Sequence, residues 1–240
     1  RREMQPLPDA PPTARHRVLV VGGGFAGLYA AKGLSRDDRI DLTLVDRRNF
    51  HLFQPLLYQV ATGALTPGEI AQPLRSIFRR QKNTTVLLGE AVGIDVEAQE
   101  VLMSDGGPIG YDTLVIAVGS LTNDFGTPGA AEYAIALETS EQAQRFHRKL
   151  VNSFLRAHAQ AEPIRSEQLD VAIIGAGATG VELAAQLHNT TRSLVSYGFD
   201  RIDPDQDIKL ILIEAADRIL PALPERLSEG ATKLLEKLGI

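Results

Sequence analysis

One chemical pattern is written twice in this chain, and it leaves few folds open. Residues 17–34 read RVLVVGGGFAGLYAAKGL and residues 169–187 read LDVAIIGAGATGVELAAQL. In each, a continuous apolar run suited to a buried parallel strand meets Gly-x-Gly-x-x-Gly, and an alanine-rich stretch with helical spacing follows. The first glycine (Gly22, Gly175) allows the tight strand-to-helix turn, and the second (Gly24, Gly177) lets backbone approach a phosphate. The third (Gly27, Gly180) lets the helix lie close on the strand. A helix N-terminus with its partial positive charge then faces any anion bound there. The expectation is an α/β chain with two Rossmann-like dinucleotide-binding domains, their parallel sheets flanked by helices.

A second apolar run, 40–45, ends in Asp46, about 20 residues past the first glycines, where a carboxylate can accept hydrogen bonds from ribose hydroxyls. Arg47 beside it reads either as a solvated charge, the commoner case, or as a residue near the adenosine. The equivalent run in the second half, 208–213, ends in Glu214, farther from its glycines because the polar stretch 189–207 intervenes. A carboxylate there accepts from a free 2′-hydroxyl and repels a 2′-phosphate, which favours NAD over NADP; Arg218 nearby leaves that preference open. Phe25 and Ala26 in the first loop, and Thr179 in the second, are counted with the glycines as cofactor-binding. Glu182 follows the second loop in what reads as the first helical turn. It either complements the helix dipole or stands beside a nicotinamide, and spacing leaves both open.

Between the two patterns, 84–103 holds short strand-like runs, read as a small antiparallel meander, followed by the turn Asp105-Gly106-Gly107. The run 111–119 is another buried strand, ending in Gly119, where backbone can approach a ligand. Thr139 with Gln142 makes a capping box for a helix over 140–156.

Composition removes other classes. A net charge of -5 offers no footprint for a phosphate backbone, so no nucleic-acid partner is expected. There is no cysteine, hence no disulfide, thiolate metal site or redox dithiol, and no metal site is expected. No apolar run reaches the roughly 18 residues of a membrane span. Residues 1–16 are polar and proline-rich, and read as a disordered tail.

Two dinucleotide sites in one chain allow one cofactor to pass electrons to another. In this the sequence resembles the two-dinucleotide-binding flavoproteins, in which the first site holds FAD and the second NAD(P)H. The narrower resemblance is to type II NADH dehydrogenases, single-subunit NADH:quinone oxidoreductases. It rests on 49–63, NFHLFQPLLYQVATG, together with 66–74, TPGEIAQPL. From the residues alone, Phe53 to Val60 is an apolar segment with Pro55 placed to start a helix, equally suited to a core.

The resemblance implies that Gln54, Pro55 and Leu56 lie near the isoalloxazine, with Val92, Ala117 and Gly119 also on the FAD side. It places Gly175 to Gly180 on the NADH pyrophosphate, and Glu182 near flavin and nicotinamide as the candidate catalytic residue. His51 belongs to the same stretch, and a lone histidine is more often structural. The implied domains are 17–124 for FAD and 125–240 for NAD(P)H. The family continues beyond the equivalent of residue 240, so the second domain is expected to be incomplete and this piece inactive alone. What the resemblance implies in function is a respiratory-chain flavoprotein: NADH reduces FAD, and a membrane quinone takes two electrons without proton pumping. It also implies a cytoplasmic enzyme, peripheral on the inner face of the membrane through a region outside this chain, with a homodimer compatible. The alternatives are a ferredoxin- or rubredoxin-type reductase of the same fold, or a dinucleotide-binding module without turnover.

Overall fold

The computed structural model describes residues 15–240, so the tail expected over 1–16 falls almost wholly outside the described residues. The chain resolves into two compact units: residues up to Leu52 with Ala71–Ser120, and Phe53–Ile70 with Leu121–Ile240.

In the first unit, β1 (His16–Val21) leads into α1 (Phe25–Leu34), β2 (Ile40–Asp46) and the short β3 (Phe50–Leu52). The chain then passes through α2 (Leu57–Thr62) of the second unit and returns as β4 (Ala71–Pro73), antiparallel to β3, and α3 (Leu74–Ile77). Next come β5 (Thr84–Leu88), β6 (Ala91–Asp95), β7 (Glu100–Met103), β8 (Ile109–Gly110) and β9 (Thr113–Ile116).

The main sheet is parallel in the order β5-β2-β1-β9. Side chains alternate across a strand, which explains why β1 is apolar on both faces from Val18 to Val21. Val18 and Val20 pack on one face with Leu28 and Ala31 of α1 and Leu74 and Phe78. Leu19 and Val21 pack on the other with Val101 and Tyr111. That second face is covered by the three-stranded antiparallel sheet β6-β7-β8. The expected meander is therefore present but begins later than the reading from 84 onward. Thr84–Leu88 instead pairs in parallel with β2, where Asn83 Nδ2 donates to the carbonyls of Asp37 (2.8 Å) and Ile40 (3.1 Å).

Beside the sheet, Arg17 donates from its backbone N–H to Asp112 Oδ2 (2.7 Å) and from its guanidinium to Oδ1 (2.8 Å). The Arg17 guanidinium is the main reason the Asp112 pKa is lowered to about 2. A depressed carboxylate contributes its stability above the ordinary range near about 4 and loses it as pH falls through the folded value. The melting-temperature gap between the native protein and Asp112→Asn is thus expected to be steady around pH 6 and to shrink below about pH 4. A gap that stayed constant into acid would refute this assignment.

In the second unit, the segment from Phe53 opens with a single tight turn, Gln54–Leu56, in which Pro55 sits at the start as expected. α2 follows, buries Leu57, Val60 and Ala61, and ends at Gly63 in the left-handed region. After α4 (Ala130–Tyr133), the helix α5 (Ser140–Ala159) starts at the expected capping box, with the Gln142 N–H donating to Thr139 Oγ1 at 3.2 Å. Then come β10 (Val171–Ile174), α6 (Ala178–Ser196), β11 (Leu210–Ile213) and α7 (Glu225–Lys237), with β10 and β11 parallel. Their core joins Leu150, Phe154 and Ala157 of α5, Ala184 and Leu187 of α6, Ile173, Leu210, and Leu235 of α7. Among the described residues no helix is long and apolar enough to cross a membrane, and no group of three or more His, Asp or Glu residues is placed to hold a metal ion.

Candidate functional site

Each unit builds one glycine loop at the end of its first strand, and the two loops share the backbone bond that anchors them and the acid that holds their middle N–H. Gly22 stands at φ +107 and Gly175 at φ +99, conformations that favour glycine. Their N–H groups donate to Val45 O and Ile213 O, both at 2.8 Å, so each loop begins anchored to the neighbouring strand. The third glycine in each case carries the helix against the loop. A Cβ at Gly27 would lie 1.7 Å from Gly22 O, and one at Gly180 would lie 1.9 Å from Gly175 O.

The middle residue of each loop is gripped by the strand-end acid. Gly23 N–H donates to Asp46 Oδ2 at 2.5 Å, and Ala176 N–H donates to Glu214 Oε2 at 2.8 Å. Asp46 also accepts from Arg48 N–H at 2.6 Å, through Oδ1. Glu214 accepts from Ala215 and Ala216 N–H through Oε1, at 2.8 and 3.0 Å. These backbone donors, Ala216 first and then Ala176, hold the Glu214 carboxyl below its ordinary pKa, so it is charged at neutral pH. A carboxylate has about four lone-pair sites. Asp46 therefore keeps acceptor capacity on both oxygens, and Glu214 keeps it on Oε2.

Gly24 and Gly177 are the N-caps of α1 and α6; neither helix has a side-chain cap, and no atom lies within 4 Å of a Cβ built at either glycine. Helix N-termini that begin at glycine without a side-chain cap, opening on space that any larger residue would occupy, fit a pyrophosphate pressed against the backbone.

The remaining candidates are placed as follows. Phe25 and Ala26 are exposed in the first turn of α1, Thr179 is exposed in the first turn of α6, and Arg47 is exposed after Asp46. Ala117 abuts the first loop, since a Cβ at Gly22 would lie 2.2 Å from its carbonyl oxygen. Gly119, at φ +75, and Val92, on β6, are both exposed in the first unit. Gln54, Pro55 and Leu56 belong to the second unit. Glu182 is exposed and is the fifth residue of α6, one turn later than expected, and the first turn carries no acid. Arg218, whose guanidinium left coenzyme preference open, donates instead to the carbonyls of Pro221 and Leu223, each at 2.9 Å.

Residues 16–240 match the family model described as pyridine nucleotide-disulphide oxidoreductase. The chain belongs to that family. Among curated relatives, it is 39% identical to the type II NADH:quinone oxidoreductase Ndh of Mycobacterium tuberculosis, over 98% of this chain and 51% of the relative. It is 34% identical to the type II NADH:quinone oxidoreductase of Haemophilus influenzae, over 92% and 56% respectively. In fold it is similar to NDH2 of Plasmodium falciparum, with a TM-score of 0.83 and 24% identity over 94% of this chain and 47% of that one. The resemblance drawn from residues 49–74 is borne out by these relatives. The chain spans about half the length of the curated relatives it matches.

The 240 residues contain no cysteine and therefore hold neither a disulfide nor a dithiol. Sequence reasoning also passed over the partners that hold the middle loop residue by its carbonyl. In the first loop the partner is His51, buried, with Nδ1 2.9 Å from Gly23 O and its ring edge-on to Phe25 at 4.9 Å. In the second it is the backbone N–H of Leu220, 2.7 Å from Ala176 O. The histidine was visible in the 49–63 stretch, but its partner lies 28 residues away. A backbone donor at Leu220 leaves no mark on the sequence at all.

Proposed function

We propose that this chain carries the two dinucleotide sites of an NADH:quinone oxidoreductase, with FAD on Gly22–Gly27 and NADH on Gly175–Gly180. The observation that carries this is the doubled loop, each copy opening uncapped helix amides on free space and ending in a strand-end acid. The acceptor class comes from the relatives, which are named NADH:quinone and NAD(P)H-ubiquinone oxidoreductases.

The chemistry a bound flavin supplies is acceptance of a hydride from the nicotinamide and delivery of two electrons to a quinone. The chain's own residues bind and orient. Amides of the Gly24 and Gly177 turns meet the two pyrophosphates; Asp46 and Glu214 accept from ribose hydroxyls, with Arg47 beside the adenosine and Thr179 beside the second pyrophosphate. Val92, Ala117 and Gly119 belong to the FAD portion of the first unit, and the resemblance assigns Gln54, Pro55 and Leu56 to the flavin and Glu182 to the nicotinamide. Residues 17–124 and 125–240 are then the FAD and NAD(P)H portions. A quinone acceptor is lipid-soluble, so the working location is the membrane surface, on the cytoplasmic side where NADH is made.

The test is the visible spectrum of the purified protein, followed by anaerobic NADH and then a soluble quinone. A yellow protein that bleaches with NADH and regains colour with quinone is the expected result. A flavin-loaded protein that NADH leaves oxidised would overturn the reading.

A further inference from the structure

The two loops share a feature that the glycine pattern does not contain. In each, the middle residue is held on both sides: its N–H by the strand-end acid, and its carbonyl, which belongs to the next peptide, by a donor from the segment that follows. The described residues contain no cis peptide, and in a trans peptide the C=O of one residue and the N–H of the next point in opposite directions. Drawing Gly23 O toward His51 therefore turns the Gly24 N–H the other way. Gly24 is where the chain faces open space at the start of α1. Without a donor at Gly23 O, the Gly23–Gly24 peptide could rotate, since glycines on either side restrict it little, and the Gly24 N–H would no longer be aimed before a ligand arrives. Preorganised donors bind more tightly because the ordering is complete beforehand.

In the second loop the same work falls to Leu220 N–H, from a residue at φ +49, a region bulky side chains rarely adopt. The flanking loop is stiffened by the Arg218 bonds to Pro221 and Leu223 and by Ser228 Oγ donating to Ile219 O at 2.6 Å. In the first loop a single imidazole suffices. It is buried and braced edge-on by Phe25, and it must carry its proton on Nδ1 to donate.

We infer that His51 is a positioning residue for the first dinucleotide: its Nδ1–H, by holding Gly23 O, aims the Gly24 amide at the pyrophosphate. This rests on the assignment of FAD to the first loop. The experiment uses the full-length protein, stripped of flavin and titrated with FAD, in native form and as His51→Phe and His51→Asn. Phenylalanine keeps a ring against Phe25 but donates nothing. Asparagine carries an N–H donor the same number of bonds from the backbone as Nδ1. Loss of one hydrogen bond of this kind is worth roughly tenfold in affinity. His51→Phe is expected to raise the FAD Kd by about that factor, and His51→Asn to return it to within roughly threefold of native. NADH affinity, which depends on the loop held by Leu220, stays unchanged in both.

An FAD Kd unaffected by His51→Phe overturns the inference, as does an Asn variant no better than Phe, or a parallel fall in NADH affinity. If His51→Phe does not fold, His51→Leu takes its place as the variant without a donor: a roughly tenfold loss relative to His51→Asn supports the role, and equal affinities refute it. A native protein that takes up no FAD at all overturns the functional reading itself, an outcome distinct from all of these.

Discussion

Gly22→Ala is expected to cost about 3 kcal/mol or more of folding stability and to empty the first dinucleotide site. Two costs combine. At φ +107 an alanine sits in a region that favours glycine, a strain of roughly 1–2 kcal/mol. Its Cβ would also lie 2.2 Å from Ala117 O and 2.7 Å from Ala117 C, both backbone atoms at the end of the strand beside β1. Overpacking against atoms that cannot turn aside adds about 1–3 kcal/mol. The companion variant separates the terms. Gly175→Ala meets a similar φ, +99, but nothing lies within 4 Å of its Cβ, so it should lose only the strain term, roughly 1–2 kcal/mol. Thermal unfolding of both variants checks this. Equal losses would mean that the packing of Ala117 on the first loop contributes nothing.

The second large effect falls on the coenzyme. Glu214→Gln should raise the KM for NADH about tenfold or more and narrow the preference for NADH over NADPH. The carboxylate accepts from three backbone N–H groups, and one of them, on Ala176, belongs to a fully buried residue. An amide presents a donor where one of those donors already points, so either the glycine loop or the turn after β11 loses its partner. The same change removes the negative charge that opposes a 2′-phosphate. Arg218 cannot take over as a phosphate ligand without releasing Pro221 and Leu223, so NADPH gains only by reduced repulsion. Steady-state KM values for both coenzymes in the full-length protein test this. An unchanged KM for NADH would remove Glu214 from the site.

Much of this was legible before any coordinates. The strand, glycine and helix order placed β1 with α1 and β10 with α6, because an apolar run, a turn that demands glycine and a helical period are all local properties. The acids Asp46 and Glu214 were found from their place at strand ends. Their first task was not visible: both grip a loop amide before any ribose is considered. Arg218 illustrates the opposite limit. Its position in the chain left the preference for NAD over NADP open, whereas its guanidinium holds carbonyls of its own loop.

The boundary between the two kinds of knowledge follows the range of the interactions. Residue types and their spacing by themselves determined the two loops and the capping box at Thr139, since each depends on neighbours a few positions away. Only the tertiary structure decided that β5 joins the parallel sheet and that His51 meets Gly23. It also decided that Leu220 closes the second loop. Those contacts join segments that are distant in sequence, and a backbone donor or a buried imidazole takes its partner from whatever the packed core brings within about 3 Å.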